Sequence, residues 1–257
     1  MSELVETRAG PVLTLTLSRE AQRNALSPGL VEELLQAFER AAADAETRVV
    51  VLTGAGEKAF CAGGDLGSGA GDGFLAGHEG RRHYGALLER ITGLEKPTIA
   101  QVNGLALAGG LGLVLACDLA VAADHAQFGT PEVNIGLFPY MVTALLFRAI
   151  ASKHAMELCL TGKRLSSADA ERIGLVNRVV PRAELDSAVA ELAAELAGKS
   201  PAILRLGKRA LRQTRDLALG PALELLAAQL SVNSLAEDAM EGIAAFWEKR
   251  KPEWKGR

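Results

Sequence analysis

Two glycine-rich segments are the parts of this chain whose residue types and spacing suit catalysis. Residues 59–66 read AFCAGGDL and residues 102–112 read VNGLALAGGLG. Each segment follows a predicted strand, so its small residues leave backbone N–H groups able to point at a ligand. Two N–H groups that converge on one oxygen form an oxyanion hole, which stabilises charge developing on a carbonyl. We therefore predict a site for a substrate carbonyl between these two segments.

A single carboxylate stands out in a third segment, residues 126–139, which read AQFGTPEVNIGLFP. It belongs to Glu132, which directly follows a proline. Apolar neighbours desolvate a carboxylate and raise its proton affinity, which suits general acid–base catalysis. We predict that Glu132 has such neighbours, namely Phe128, Val133, Ile135 and Leu137.

The elements that must position these segments alternate between strand and helix. Residues 12–17 alternate apolar and hydroxyl side chains, as a half-buried strand does, and residues 49–53 and 97–102 are apolar runs typical of buried strands. Ser27 and Pro28 are suited to the N-cap and first position of a helix. This order predicts an α/β fold with helices packed on a sheet.

Two further stretches differ from this pattern. The glycine-rich residues 63–80 are interpreted as a mobile surface loop beside the site, because glycine permits unusual backbone angles. After about residue 185, leucines and other apolar residues recur at helical spacing, so the remainder is predicted to be helical. The sequence shows no internal repeat.

Composition narrows the classes of function. The chain has 257 residues, with 28 Lys and Arg against 31 Asp and Glu, a formal net charge of −3, so we do not expect a nucleic-acid partner. Three scattered cysteines and four histidines show no metal-ligand spacing, and no metal site is predicted. No stretch is long and apolar enough for a membrane span, and the first ten residues have no signal-peptide core, so a cytoplasmic location is expected.

The three segments together resemble the signature regions of the crotonase superfamily, the enoyl-CoA hydratase/isomerase family. The similarity extends over essentially the whole chain and includes residues 23–26 (RNAL), residues 160–163 (LTGK) and residues 238–257. The resemblance implies an α/β fold made of a spiral of ββα units, residues 1–190, followed by a C-terminal helical region, residues 191–257. Because this helical region mediates trimerisation in the family, the resemblance also implies a homotrimer, or a hexamer built from two trimers.

The resemblance also implies roles for individual residues. The substrate would be an acyl-CoA thioester whose carbonyl oxygen is held by the N–H groups of Gly64 and Gly109, with Glu132 as acid and base and no cofactor beyond the coenzyme A of the substrate. Basic residues near Arg23 and in residues 249–255 would lie near the phosphates. The implied substrate-binding residues are Arg23, Ala25, Ala62, Asp65, Leu66, Tyr84, Leu105, Gly112, Phe138, Tyr140 and Trp247.

Position 112 departs from the family's hydratases, which carry a first glutamate there that grips water together with a second one. This chain has Gly112 instead. One carboxylate can move a proton between two carbons, so double-bond isomerisation is favoured over hydration. A hydratase or dehydratase that takes its second acid from Asp72, Glu79 or Tyr84 stays open. A glutamate introduced at position 112 is expected to raise hydration if the pocket has room.

Two alternative classes of function lack this acyl-CoA chemistry. A non-catalytic binding or scaffold subunit of the same fold is one, and the retained Glu132 and glycine donors weigh against it. A serine peptidase of the same spiral fold is the other, and it is disfavoured because no serine lies in a nucleophile motif.

Overall fold

Ten strands form two sheets in the part of the chain that the structure describes. A computed structural model gives residues 2–65 and 73–257. The larger sheet has the order β1 (Leu4–Ala9), β2 (Val12–Leu17), β3 (Val49–Gly54), β5 (Thr98–Val102), β7 (Leu119–Ala123) and β10 (Arg178–Val180). The smaller sheet has the order β4 (Ala59–Cys61), β6 (Leu105–Leu107), β8 (Gln127–Gly129) and β9 (Arg164–Ser166).

From β3 to β8, successive strands alternate between the two sheets, and a helix follows each pair. The three units are β3–β4 with α2 (Gly73–Gly93), β5–β6 with α3 (Gly109–Ala116), and β7–β8 with α4 (Tyr140–Ala149). This succession confirms the predicted α/β fold built of ββα units. The repeat is one of backbone topology, which explains why no repeat of residue types is visible in the sequence.

The remaining helices begin with α1 (Pro28–Ala43), whose predicted cap is confirmed: Ser27 Oγ accepts a 3.0 Å hydrogen bond from the amide of Leu30. The helical C-terminal part is confirmed as well. The other helices are α5 (Ser152–Thr161), α6 (Ser167–Arg172), α7 (Leu185–Ala197), α8 (Pro201–Thr214), α9 (Leu219–Asn233) and α10 (Glu237–Glu248).

The central strands of the larger sheet, β3, β5 and β7, are buried on both faces. Side chains of successive strand residues point to opposite faces, so Val50 and Leu52 of β3 join the core beneath α1, whereas Val49 and Val51 join a second core with α7. Helix α7 packs on the sheet from its first residue to its last. The predicted boundary between residues 190 and 191 therefore falls inside a helix that packs on the sheet, and α8 is the first helix beyond it.

Two expectations are corrected. Strand β1 was not predicted, because it is an edge strand whose residues after Leu4 are exposed and show no apolar alternation. The loop predicted over residues 63–80 is wrong at residues 73–80, which form the first turns of α2, and residues 66–72 lie outside the described residues. The reason is that Tyr84, Leu87 and Ile91 dock the second half of α2 on the core, and the helix extends from there toward its N-terminus. Among the described residues, no helix has the length and apolar character needed to cross a membrane.

Candidate active site

Three short parallel strands bring the three predicted segments side by side. In the smaller sheet β6 lies between β4 and β8, with Cys61 opposite Ala106 and Leu107 opposite Gly129. The amide of Ala108 continues the pairing by donating a 2.9 Å hydrogen bond to the carbonyl of Gly129. The carboxyl ends of parallel strands meet at one edge of a sheet, so all three segments converge at this edge.

The first segment is held by pairing with residues 23–26. The amide of Leu26 donates to the carbonyl of Gly63 over 2.8 Å, and the amide of Asp65 donates to the carbonyl of Leu26 over 2.9 Å. This bridge uses the groups on either side of Gly64 and leaves its N–H without a partner among the described residues. Gly64 is also exposed, so its N–H is available to a ligand.

The second segment contacts the first at Gly63. Gly63 has φ +104°, and an ideal Cβ there would lie 2.7 Å from Ala108 Cβ and 3.5 Å from the amide nitrogen of Gly109. Gly109 is the first residue of α3, where backbone N–H groups have no partner within the helix. The two predicted donors, Gly64 and Gly109, therefore lie in touching segments, as an oxyanion hole requires.

Ala108 has a strained backbone that the sequence did not predict. Its φ of 51° and ψ of −125° are rare for a residue with a side chain, and they set the direction of the next peptide group, which carries the N–H of Gly109. Strained backbone of this kind concentrates at functional sites, where the surrounding structure holds it in place. No sequence signal could have revealed it, because alanine has no preference for positive φ.

Glu132 follows β8 and lies in a short 3-10 helix, Pro131–Ile135. Burial raises the pKa of its carboxyl, while a hydrogen bond from its own backbone amide acts in the opposite direction. Its Oε2 is buried and has no hydrogen-bond partner among the described residues. A half-buried carboxylate with an oxygen available to a ligand can take up and return a proton.

The predicted apolar enclosure of Glu132 is wrong in detail. Phe128 is fully buried, but Val133, Ile135 and Leu137 are exposed, Ile135 to 60%. In a 3-10 helix successive side chains point about 120° apart, so Val133 points away from Glu132. Leu137 lies beyond the end of this helix.

Tyr84 is a predicted substrate-binding residue that lies at the centre of this site. It reaches over from α2, is 8% exposed, and its hydroxyl donates a 2.7 Å hydrogen bond to the carbonyl of Gly109. Gly112 lies one turn further along α3 and is buried. An ideal Cβ on Gly112 would overlap the Tyr84 hydroxyl oxygen, so the pocket has no room for a glutamate at position 112 while Tyr84 is in place.

Four other predicted residues surround the Gly64 loop. Arg23 is exposed, and its carbonyl accepts a 3.0 Å hydrogen bond from the amide of Ala62. Asp65 forms a 2.9 Å ion pair with Arg19, whose guanidinium also binds the carbonyl of Ala25 at 2.5 Å. Asp65 thus fastens the loop, which sequence analysis could not show because it gave Arg19 no role.

The other predicted substrate-binding residues lie on different elements. Leu105 is half-buried in β6, and Trp247 is exposed on α10. Phe138 and Tyr140 are exposed beyond the 3-10 helix, and their ring centroids are 5.1 Å apart. Leu66 lies outside the described residues.

Of the candidates for a second acid, Asp72 also lies outside the described residues. Glu79 is exposed on α2 with an ion pair to Arg82. Within residues 2–65 and 73–257, no cluster of three or more His, Cys, Asp or Glu side chains could hold a metal ion.

The spiral of ββα units, together with the match to a family of enoyl-CoA enzymes, defines an acyl-CoA enzyme of the crotonase superfamily. The chain belongs to the enoyl-CoA hydratase/isomerase family, whose profile matches residues 7–257.

Individual relatives are similar over their full length. A 2,3-dehydroadipyl-CoA hydratase of Escherichia coli (strain K12) is 38% identical over 258 residues, with 100% of both chains covered. A carnitinyl-CoA dehydratase of Escherichia coli (strain SMS-3-5 / SECEC) is 38% identical over 263 residues, again with 100% of both covered. The crystal structure of an enoyl-CoA hydratase from Bacillus anthracis superposes with a TM-score of 0.96 at 37% identity, covering 99% of this chain and 100% of that one.

Proposed function

We propose that this enzyme uses Glu132 as a single proton carrier beside an acyl-CoA thioester and that it isomerises 3-enoyl-CoA to 2-enoyl-CoA faster than it hydrates 2-enoyl-CoA. One observation carries the proposal: Glu132 offers a buried carboxylate oxygen that has no hydrogen-bond partner within residues 2–65 and 73–257, whereas position 112, where the family's hydratases have their other glutamate, is Gly112.

The reaction needs one base and one oxyanion hole. The thioester oxygen accepts hydrogen bonds from the N–H groups of Gly64 and Gly109. Glu132 removes a proton from C2. The electron pair of that C–H bond forms a C1–C2 double bond, and the carbonyl π electrons move to the thioester oxygen, so a dienolate conjugated with the C3–C4 double bond results. The protonated Glu132 then gives its proton to C4: the C3–C4 π electrons form the new C–H bond, the C1–C2 electrons become the C2–C3 double bond, and the thioester carbonyl re-forms. Loss of one oxyanion donor typically lowers kcat by about 10²–10³-fold, so both amides matter.

Hydration of 2-enoyl-CoA, or the reverse dehydration, is the second candidate. It is favoured by the relatives, because two of those at 38% identity are named a hydratase and a dehydratase. Hydration requires a second group to orient water while Glu132 moves a proton. Tyr84 is the polar side chain that faces position 112.

A direct assay separates the two. Purified enzyme is given matched 3-enoyl- and 2-enoyl-CoA thioesters of four to ten carbons, and isomer and 3-hydroxyacyl product are quantified by chromatography. We expect isomerisation to have the higher kcat/KM. Efficient hydration with 3-enoyl-CoA left untouched would contradict the proposal and favour the second candidate.

We also propose that the chain acts as a trimer or as a hexamer of two trimers, with coenzyme A entering only as part of the substrate. Support comes from the C-terminal helices, which leave large apolar side chains uncovered in one chain. Examples are Leu219, Leu223, Leu230, Val232, Leu235, Met240, Ile243, Phe246 and Trp247.

The two basic regions expected near the phosphates contact different elements of one chain. Arg23 lies at the Gly64 loop, after the carboxyl end of β4. Lys255 lines a cleft of about 900 Å³ with Arg48 and Lys96, which precede β3 and β5. If both regions bind one coenzyme A, residues 249–255 must come from a neighbouring subunit.

A further inference from the structure

The Tyr84 hydroxyl occupies the volume in which a side chain at position 112 would lie. An ideal Cβ on Gly112 would overlap Tyr84 Oη, while it would lie 3.3 Å from the ring carbon that carries the hydroxyl and 3.4 Å from Val142 Cγ2. The hydroxyl oxygen is thus the one atom that conflicts severely with a side chain there. Gly112 is buried between α2 and α4, and Tyr84 and Val142 are themselves buried, so neither side chain can move aside into solvent.

The same hydroxyl holds Gly109, the residue whose N–H we assign to the oxyanion hole. It donates its hydrogen to the Gly109 carbonyl at 2.7 Å. The ring also packs on this glycine, since an ideal Cβ on Gly109 would lie 3.4 Å from the tyrosine ring. Gly109 follows the strained Ala108, so its orientation depends on contacts of this kind.

We propose that Tyr84 is a positioning residue: its hydroxyl replaces the side chain of position 112 and fixes the Gly109 amide for the thioester oxygen. This inference rests on the proposed function for its substrate. It assigns Tyr84 no proton transfer, because a phenol has one hydrogen and this hydrogen is engaged with the Gly109 carbonyl.

The surroundings keep that hydrogen in place. Burial raises the pKa of Tyr84 well above its ordinary value, and the nearby Cys61 and Glu132 act in the same direction. The phenol therefore stays a neutral donor over the working range of pH. Its remaining lone pairs can accept a hydrogen bond from bound water.

The first test removes only the hydroxyl. Tyr84→Phe is compared with Thr92→Val, which deletes another hydroxyl-to-carbonyl hydrogen bond on the same helix, from Thr92 to Leu88 at 2.7 Å. We expect Tyr84→Phe to lower kcat about tenfold or more, with KM changed less than threefold. Thr92→Val should change neither constant. The reason is that Tyr84, unlike Thr92, positions an amide that binds the transition-state oxygen.

A second readout needs no turnover. A 4-dimethylaminocinnamoyl-CoA thioester absorbs at longer wavelength when its carbonyl is polarised by hydrogen bonds. We expect this red shift on binding to wild type and to Thr92→Val, and a smaller shift with Tyr84→Phe at saturating ligand. An unchanged shift together with unchanged kcat in Tyr84→Phe would overturn the proposed role.

A third measurement tests the occupied volume through stability alone. Gly112→Ala is made in wild type and in Tyr84→Phe, with Gly207→Ala as control because nothing lies within 4 Å of its ideal Cβ. We expect Gly112→Ala to lower Tm by about 5 °C or more in wild type and by much less in the Tyr84→Phe background. Equal losses in both backgrounds would overturn the assignment of the hydroxyl to this volume.

These outcomes are distinguishable from failure of the proposed function. If wild type turns over no enoyl-CoA, or only hydrates 2-enoyl-CoA, the proposed isomerisation fails. The absorbance shift and the Tm values of the Gly112→Ala variants still decide the place and role of Tyr84. If isomerisation is found and Tyr84→Phe behaves as Thr92→Val does, the inference fails alone.

Discussion

Gly110 lies directly against the backbone of Cys61: an ideal Cβ on Gly110 would overlap the Cys61 carbonyl oxygen and come within 2.8 Å of its carbonyl carbon. This contact joins the end of β4 to the first turn of α3. It keeps the segment that carries Gly64 against the segment that carries Gly109, and only glycine permits so close an approach.

Gly110→Ala should therefore destabilise the fold. We expect a loss of about 1–3 kcal/mol in the free energy of unfolding, because backbone rather than a flexible side chain must move. Gly207→Ala, also within a helix, should be neutral or stabilise by up to about 1 kcal/mol, since its Cβ meets nothing. Thermal or urea unfolding measures both. Equal stability of the two variants would show that the contact is looser than described.

Glu132→Gln should abolish activity without unfolding the chain. The amide keeps the shape of the carboxyl but cannot take a proton, so we expect kcat to fall about 10²–10⁴-fold. Glu191→Gln on the exposed face of α7 is the matched control and should retain full activity. Circular dichroism checks the fold. Substantial isomerase activity in Glu132→Gln would mean that another group is the base.

The pH dependence should follow the raised pKa of Glu132. The base must be ionised to accept a proton, so kcat/KM should fall as the pH falls through a pKa above the ordinary range of glutamate. A profile flat down to the ordinary glutamate pKa would contradict this assignment.

The same pKa shift predicts an effect on stability. The folded state holds the Glu132 proton more tightly than the unfolded state does. As the pH rises from the ordinary pKa of glutamate to the raised pKa, ionisation of Glu132 therefore lowers the free energy of unfolding progressively. Above the raised pKa, the loss stays constant. Glu132→Gln should relieve this cost. We expect its Tm relative to wild type to rise across that window of pH and then to level off.

A second carboxylate should increase hydration only when room is made for it. Gly112→Glu alone should impair the enzyme, because its Cβ overlaps the Tyr84 hydroxyl oxygen. Tyr84→Ala with Gly112→Glu removes that overlap and places a carboxylate near Glu132. We expect a higher ratio of hydration to isomerisation for the double variant than for Tyr84→Ala, measured with matched thioesters. An unchanged ratio would show that the absent glutamate does not limit hydration.

The uncovered apolar side chains of α9 predict an oligomer. Sedimentation velocity at micromolar concentration should give the mass of three or six chains. Leu219→Glu with Leu223→Glu should shift the protein toward monomers, because both side chains are exposed in one chain and charges are costly in an apolar interface. Gln36→Glu on the exposed face of α1 is the control for added charge. A monomeric wild type would contradict the proposed assembly.

The sequence by itself determined the α/β class and several of its elements. Strands β2, β3 and β5 and the start of α1 follow from alternation, apolar runs and the cap at Ser27, which are local preferences of the chain. The glycine-rich segments and Glu132 were singled out because small residues after strands and a lone carboxylate have recognisable chemistry. The assignment of Gly64 and Gly109 as donors, and of Gly112 as a departure, rests on the resemblance to the family.

Only the tertiary structure decided how these segments meet. Strands β4, β6 and β8 are three residues long and have no pattern of their own, yet the pairing of β6 with β8 places the segment that carries Glu132 next to the segment that carries Gly109. Likewise, the hydrogen bond from Tyr84 to Gly109 joins two helices that no local preference relates. Such contacts depend on strand register and helix packing, which arise from burial summed over the whole core, and a single stretch of sequence does not encode them.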